Sequence, residues 1–178
     1  GLNDTGRLML EAVKGFDYFT IAAVGDNDTN LAQQVAKEHN CAAYDDYRQL
    51  IIANQLDCLF VAAPLHSCAE YLKMAIKKKF HILKAPPLSR NFREASEFVK
   101  LAQNEGITLA VANIDRFAQS ALATRGYFLQ NPAEQPFLVL AAGRPPSETP
   151  QAKWRNDPVL AGGGVLLYEW WEIIDQIS

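Results

Sequence analysis

The first six residues, Gly1-Leu2-Asn3-Asp4-Thr5-Gly6, stand directly before a helical pattern and fit G-x-G-x-x-G with Asn3 in place of the middle glycine. A turn of this kind lets a pyrophosphate approach the backbone and rest on a helix N-terminus. Asp26 lies 20 residues beyond Gly6, at the end of a short apolar run. An acid there accepts hydrogen bonds from an adenosine ribose and disfavours a 2′-phosphate, and Asn27 beside it agrees with NAD over NADP. Two residues oppose this reading. Asn3 adds a side chain where close approach wants none, and Asp4 places a carboxylate where phosphates would lie. As an N-cap, Asp4 could also satisfy the helix start itself. On these residues alone, a helix start that binds no dinucleotide is an equal alternative.

Other reactive side chains carry less. His66 follows a strand pattern at its carboxyl end, where ligands of α/β proteins bind, but a lone His is more often a cap or surface group. His39 and His81 have no partner at metal spacing, so no metal site is expected. Cys68 has no base evident in sequence. The Lys77-Lys78-Lys79 run follows a helix end, where cations complement the dipole.

These candidates need a scaffold, and the first half of the chain alternates two periodicities. Strands are expected over Phe19–Val24, Leu56–Ala63, Phe80–Ala85 and Ile107–Ala112. Helices are expected over Thr5–Lys14, Asn30–His39, Tyr47–Asn54, Ser67–Lys78 and from Asn91 to Glu105. Asn91 and Glu94 have capping-box spacing, and Gly106 sits where a helix-ending glycine belongs. The alternation implies right-handed βαβ units in a doubly wound parallel sheet. After about Asp115 the pattern changes to a helix over Ala118–Leu129, a strand over Phe137–Ala142, and a loop over 143–161. That loop holds four of the nine prolines. Loops of that length inside compact proteins are usually functional or disordered.

Composition narrows the classes. The 178 residues are 49% apolar, which with a net charge of −3 excludes intrinsic disorder. No uninterrupted apolar run reaches the ~18 residues of a membrane span. Lys and Arg number 17 against 20 Asp and Glu, which argues against nucleic acid as a partner. Three cysteines, Cys41, Cys58 and Cys68, without C-x-x-C spacing read as reduced thiols of a cytoplasmic protein.

Several segments, in order, resemble one family. Asp57 to Pro64 (DCLFVAAP) resembles a strand ending in A-T-P, and Phe80-His81-Ile82-Leu83 with Pro87-Leu88 resembles K-H-V-L-x-E-K-P-L. Arg116-Phe117 resembles R-F; Trp154 to Pro158 (WRNDP) and Ala161 to Gly164 (AGGG) resemble W-R-x-D-P and A-G-G-G. Together they resemble the Gfo/Idh/MocA family of nicotinamide-dependent oxidoreductases along essentially the whole chain. The resemblance implies a Rossmann-type dinucleotide domain over 1–115 and the start of a C-terminal α/β substrate domain over 116–178. It implies cofactor contacts at Gly1, Asn3, Gly6, Asp26, Ala63, Pro64 and Ala85, with NAD as cofactor. The implied chemistry is hydride transfer on a sugar-like or polyol-like hydroxy or keto compound. Homo-oligomers are a further expectation, since such proteins usually associate through a sheet of the second domain.

Departures fall on the chemistry. The E-K-P triplet is Ala85-Pro86-Pro87, and P-N-x-x-H is Pro64-Leu65-His66-Ser67-Cys68. Where the family places an Asp and, four residues on, a His acid/base, this chain has Tyr168 and Glu172, followed by a retained Asp175. Hydride transfer to a carbonyl needs a proton donor, so these changes strike the chemical step. Lys84 shares a strand face with position 86, and Tyr168 and Glu172 share a helix face, so these three are the candidate catalytic residues. The bland alternative caps Lys84 with a surface carboxylate and packs Tyr168, Trp170, Trp171 and Glu172 into a cleft. Two functions stand: an oxidoreductase, or a non-catalytic relative that serves as a ligand-binding or regulatory subunit. An apolar first strand is expected ahead of Gly1, and the second domain is expected to continue past Ser178.

Overall fold

A computed structural model describes residues 1–132, 154, 157–164, 167, 171 and 175. The expected strand over 137–142, Tyr168, Trp170 and Glu172 lie outside the described residues. Two compact units are present, Gly1–Val111 and Ala112–Ser178.

The first unit opens with α1 (Asp4–Lys14), and Asn3, rather than Asp4, is its N-cap. Asn3 has extended backbone geometry, so its Oδ1 reaches the Gly6 N–H at 2.9 Å and satisfies one orphan donor. β1 (Ala23–Gly25) begins later than the apolar run suggests. The rings of Phe16, Tyr18 and Phe19 cluster at 5.2–6.2 Å and occupy the approach to it. α2 (Thr29–His39) is capped by Asp28 and ends at a left-handed Asn40. β2 (Ala42–Tyr44) follows, which periodicity did not reveal, then α3 (Tyr47–Ala53) with Asp46 as its cap.

β3 (Cys58–Val61), α4 (Leu65–Lys77), β4 (His81–Lys84), α5 (Phe92–Glu105) and β5 (Leu109–Val111) complete the unit. Strand pairs are parallel throughout: β1 with β2 in one sheet, and β3–β4–β5 in another. Helices supply the crossovers that parallel pairing requires. Leu59 and Val61 of β3 join a core with Leu50, Ile51, Leu72, Ile76, Phe80, Ile82 and Phe98. Phe60, between them, points to the other face and meets Phe19 at 6.4 Å. A second cluster gathers Leu2, Val24, Ala32, Val35 and Ala36. This is a parallel α/β, Rossmann-like unit, and its strand ends at Gly25, Val61 and Lys84 carry the expected site.

In the second unit a 3₁₀ turn (Ile114–Phe117) leads to α6 (Gln119–Gln130), and α7 (Pro158–Ala161) is capped by Asp157. Among the described residues, no helix is long and apolar enough to cross a membrane.

Candidate functional site

The glycine turn packs against the end of β3. Asn3 Nδ2 donates to Ala62 O at 3.0 Å while its Oδ1 holds Gly6 N–H, so one side chain ties α1 to the strand end. Gly6 admits no side chain: a Cβ there would lie 2.0 Å from Gly1 O. Gly1 is nearly as confined, its added Cβ falling 2.8 Å from Ala62 O. Both glycines are therefore required by close backbone approach, as a phosphate turn demands.

Asp26 sits one residue past β1 and reaches this turn. Its Oδ2 accepts from Leu2 N–H at 2.6 Å and its Oδ1 from Asp28 N–H at 3.0 Å. The carboxylate thus fixes the turn to the start of α2. Tyr47, which sequence reasoning missed, lies beside it. Burial foremost, and then the Asp26 charge, push the Tyr47 phenol up to about 12, against a hydrogen bond from the Asn27 backbone. Its only sequence signal was its place after the capping Asp46.

Ala63 and Pro64 lead from β3 into α4. Cys68 Sγ donates to Ala63 O and Pro64 O, both at 3.0 Å, and Ser67 Oγ donates to Pro64 O at 2.9 Å. Cys68 is buried and its thiol is pushed up by that burial, a setting for a structural thiol and not a nucleophile. His81 Nδ1 accepts from Thr108 N–H at 2.9 Å, fastening β4 to the approach of β5.

Lys84 is buried, not held at the surface by a carboxylate as the bland alternative had it. It is 2% exposed, with Nζ donating to Ala85 O at 2.5 Å and Pro87 O at 3.3 Å. Among the described residues no carboxylate caps it; the ammonium holds the turn that leaves β4, and burial pushes its pKa down. Ala85, 5% exposed, donates its N–H to Val61 O at 2.8 Å and so extends the ladder between β3 and β4.

In the second unit, Arg116 and the retained Asp175 form one cluster. Asp175 accepts from Arg116 Nε and Nη2 and from Asn113 Nδ2. The carboxylate raises the Arg116 pKa, chiefly through these hydrogen bonds. Asn113 was not singled out in the sequence, and its Oδ1 is buried with no hydrogen-bond partner among the described residues. Tyr168 and Glu172 lie outside the described residues. Among the described residues there is no cluster of His, Cys, Asp and Glu able to hold a metal.

The first unit fits a dinucleotide on its own geometry. The N–H groups of Asp4 and Thr5, at the start of α1, have no protein acceptor among the described residues. Orphan donors at a helix start, next to two glycines that exclude side chains, make a seat for a pyrophosphate. Asp26, at the end of β1, stands where a ribose would follow.

Comparison with known proteins agrees. A family model for Gfo/Idh/MocA proteins, described as an oxidoreductase family with an NAD-binding Rossmann fold, matches residues 1–113. The chain is 27% identical over 118 residues to the uncharacterised oxidoreductase YrbE of Bacillus subtilis, covering 66% of this chain and 35% of that protein. It is 24% identical over 147 residues to dTDP-3,4-didehydro-2,6-dideoxy-alpha-D-glucose 3-reductase of Streptomyces antibioticus, covering 83% of this chain and 44% of that protein. GenD2 from gentamicin A biosynthesis, solved in complex with NAD, superposes with a TM-score of 0.82 at 16% identity, over 99% of this chain and 50% of that one. The chain thus spans less than half the length of these two curated relatives.

Proposed function

The chain belongs to the Gfo/Idh/MocA oxidoreductase family with its NAD-binding Rossmann fold, and from that premise we propose that it binds NAD in preference to NADP and serves hydride transfer on a sugar-like hydroxy or keto compound. The observation that carries this is the turn from Gly1 to Gly6, whose two glycines stand too close to neighbouring backbone for a side chain and whose Leu2 N–H is tied to Asp26. When bound, the nicotinamide supplies or accepts the hydride. The chain's own part is to bind and orient: Asp4 and Thr5 N–H groups meet phosphate, Asp26 accepts from a ribose hydroxyl, and Ala63, Pro64 and Ala85 wall the ring end. Asn3 acts as a positioning residue, since its amide is spent on Gly6 N–H and Ala62 O. Tyr168 and Glu172 are the proposed proton-handling pair of the second unit. The Streptomyces antibioticus relative, named as a 3-reductase of a didehydro-dideoxyglucose nucleotide, supports the substrate class.

One observation favours a second reading, a non-catalytic relative that binds a ligand or regulates. Lys84, the nearest lysine to the altered E-K-P position, is buried against Ala85 O and Pro87 O. Titration with NAD(H) and NADP(H), followed by thermal shift and tryptophan fluorescence, decides first whether cofactor binds. No stabilisation at millimolar concentration of either would sink the oxidoreductase reading. Where binding occurs, a polyol and aldose screen should give turnover that collapses in Tyr168→Phe or Glu172→Gln. Binding without turnover across that screen supports the second reading.

A further inference from the structure

The loop that leaves β1 keeps its hydrogen-bond donors for itself. Asp26 N–H donates to Tyr44 O at 3.1 Å, and Asp28 N–H donates to Asp26 Oδ1 at 3.0 Å. Asp28 Oδ1 in turn accepts from Asn30 N–H at 3.0 Å and Leu31 N–H at 3.1 Å. Asn27 N–H donates to the Tyr47 phenol oxygen. From Asp26 to Ala32, Thr29 N–H alone has no protein acceptor among the described residues.

Two side chains from outside the loop complete this circuit. Tyr47 comes from the first turn of α3, and its ring meets Tyr71 edge to face at 5.2 Å. A Cβ on Gly25 would stand 3.4 Å from Tyr47 Cδ1, so the bare glycine lets the ring lie close beside the end of β1. The phenol, pushed up to about 12 chiefly by burial, is neutral at ordinary pH and accepts as a hydroxyl. Asp45, one residue past β2, accepts from Thr29 Oγ1 at 3.1 Å and so takes a side-chain donor as well.

A ribose hydroxyl and a 2′-phosphate ask opposite things of such a loop. The hydroxyl is a donor, and the Asp26 carboxylate can accept from it. A phosphate monoester brings about two negative charges and strong acceptor oxygens, so it needs donors and cations. To reach Asn27 N–H or the Thr29 hydroxyl it must break a bond already made. The carboxylates of Asp26, Asp28, Asp45 and Asp46 stand on these two strand-end loops and repel it. Arg48, the next basic residue along the chain, is paired with Glu70 at 2.7 Å. We propose that Tyr47 and Asp45 are specificity-determining residues for the cofactor, because by holding Asn27 N–H and the Thr29 hydroxyl they leave a 2′-phosphate too few donors. This deepens the proposed preference for NAD, on which it rests, and extends it beyond the charge of Asp26.

Tyr47→Phe and Asp45→Ala in the whole chain, each titrated with NAD and with NADP by tryptophan fluorescence, test it. Tyr47→Phe keeps the ring and frees Asn27 N–H. The ratio of the NADP to the NAD dissociation constant should fall about tenfold, as one added hydrogen bond to a charged group predicts. Asp45→Ala frees the Thr29 hydroxyl and removes one exposed charge, so it should lower the ratio about threefold. In both variants the fall should come from tighter NADP, since the freed donors are gained by the phosphate. An unchanged ratio in both variants, or one that falls only because NAD weakens, overturns the proposal while leaving the NAD reading intact. A parent chain that binds neither nucleotide, or both equally, overturns the NAD preference and this proposal with it.

Discussion

Asp26 carries two loads, since the carboxylate that should meet a ribose also accepts from Leu2 N–H at 2.6 Å and Asp28 N–H at 3.0 Å. Asp26→Asn keeps the shape but turns one acceptor into a donor, leaving one of those N–H groups without its partner. Hydrogen bonds to a charged group make this cost about 1–2 kcal/mol, read as a lower urea midpoint. The same change should weaken NAD by about tenfold, read by fluorescence titration. An unchanged midpoint would mean that the carboxylate does not brace the turn. Lys84 gives a pH prediction with a definite sign. Its folded pKa lies below the ordinary 10.5 because burial disfavours the ammonium. Between the two values the unfolded chain holds more protons, so this group's contribution to stability rises with pH towards 10.5. Cys68 opposes it above its ordinary 9.0, because its thiol is pushed up by burial. Comparing urea midpoints of the parent and Lys84→Met isolates the lysine: the parent should gain on the variant as pH rises, and parallel profiles would refute the assignment. The sequence showed the glycines and Asp26 because spacing alone carries them. It could not show that Asn3 rather than Asp4 takes the cap, nor that Lys84 turns back to Ala85 O and Pro87 O. Both depend on which backbone groups folding brings within reach.

α5 shows how a helix boundary can be written in sequence and still close differently in space. Asn91 Oδ1 accepts from Glu94 N–H at 2.9 Å, the expected half of a capping box. The reciprocal half is displaced by one residue: Glu94 Oε2 accepts from Arg90 N–H at 3.0 Å, and Arg90 Nη2 reaches Glu94 Oε1 at 2.9 Å. Asn91→Ala should therefore cost about 1 kcal/mol, because Glu94 N–H loses its acceptor while the Arg90 contacts stay. At the far end, Gly106 has φ 69°, where a Cβ is strained although nothing stands within 4 Å. Gly106→Ala should cost a further ~1 kcal/mol through backbone strain alone. The two sites are a full helix apart, so the double variant should show the sum in thermal unfolding. A clear departure from additivity would contradict independent caps. Elements with long apolar runs or capping signatures were legible in this way. β2 was not, because Ala42, Ala43 and Tyr44 are too few to show a period and the two alanines are exposed. Only pairing with Ala23, Val24 and Gly25 makes them a strand.

At the scale of the molecule, the alternation of strand and helix was legible because every parallel pair demands a crossover, and the crossovers are what periodicity detects. What periodicity omits is how strands sort into sheets, a matter of edges that lie far apart in sequence. β1 and β3 are separated by two helices and a strand, yet the candidate cofactor turn is built from residues next to both. Asn3 ties the turn to Ala62 and Asp26 ties it to the end of β1, so the nucleotide would bridge the two sheets at their carboxyl ends. Binding of that kind stabilises more than the residues it touches, because neither sheet can open without releasing the ligand. At a concentration 100 times its Kd, a ligand specific for the folded state adds about 2.7 kcal/mol. NAD should therefore slow amide exchange in β1, β2, β3 and β4 together, and NADP at the same concentration should do so less because a 2′-phosphate meets Asp26. Exchange measured by mass spectrometry over Gly1–Val111 decides the matter. Protection confined to the turn would show that the sheets open independently, and equal protection by both nucleotides would show that Asp26 does not select between them.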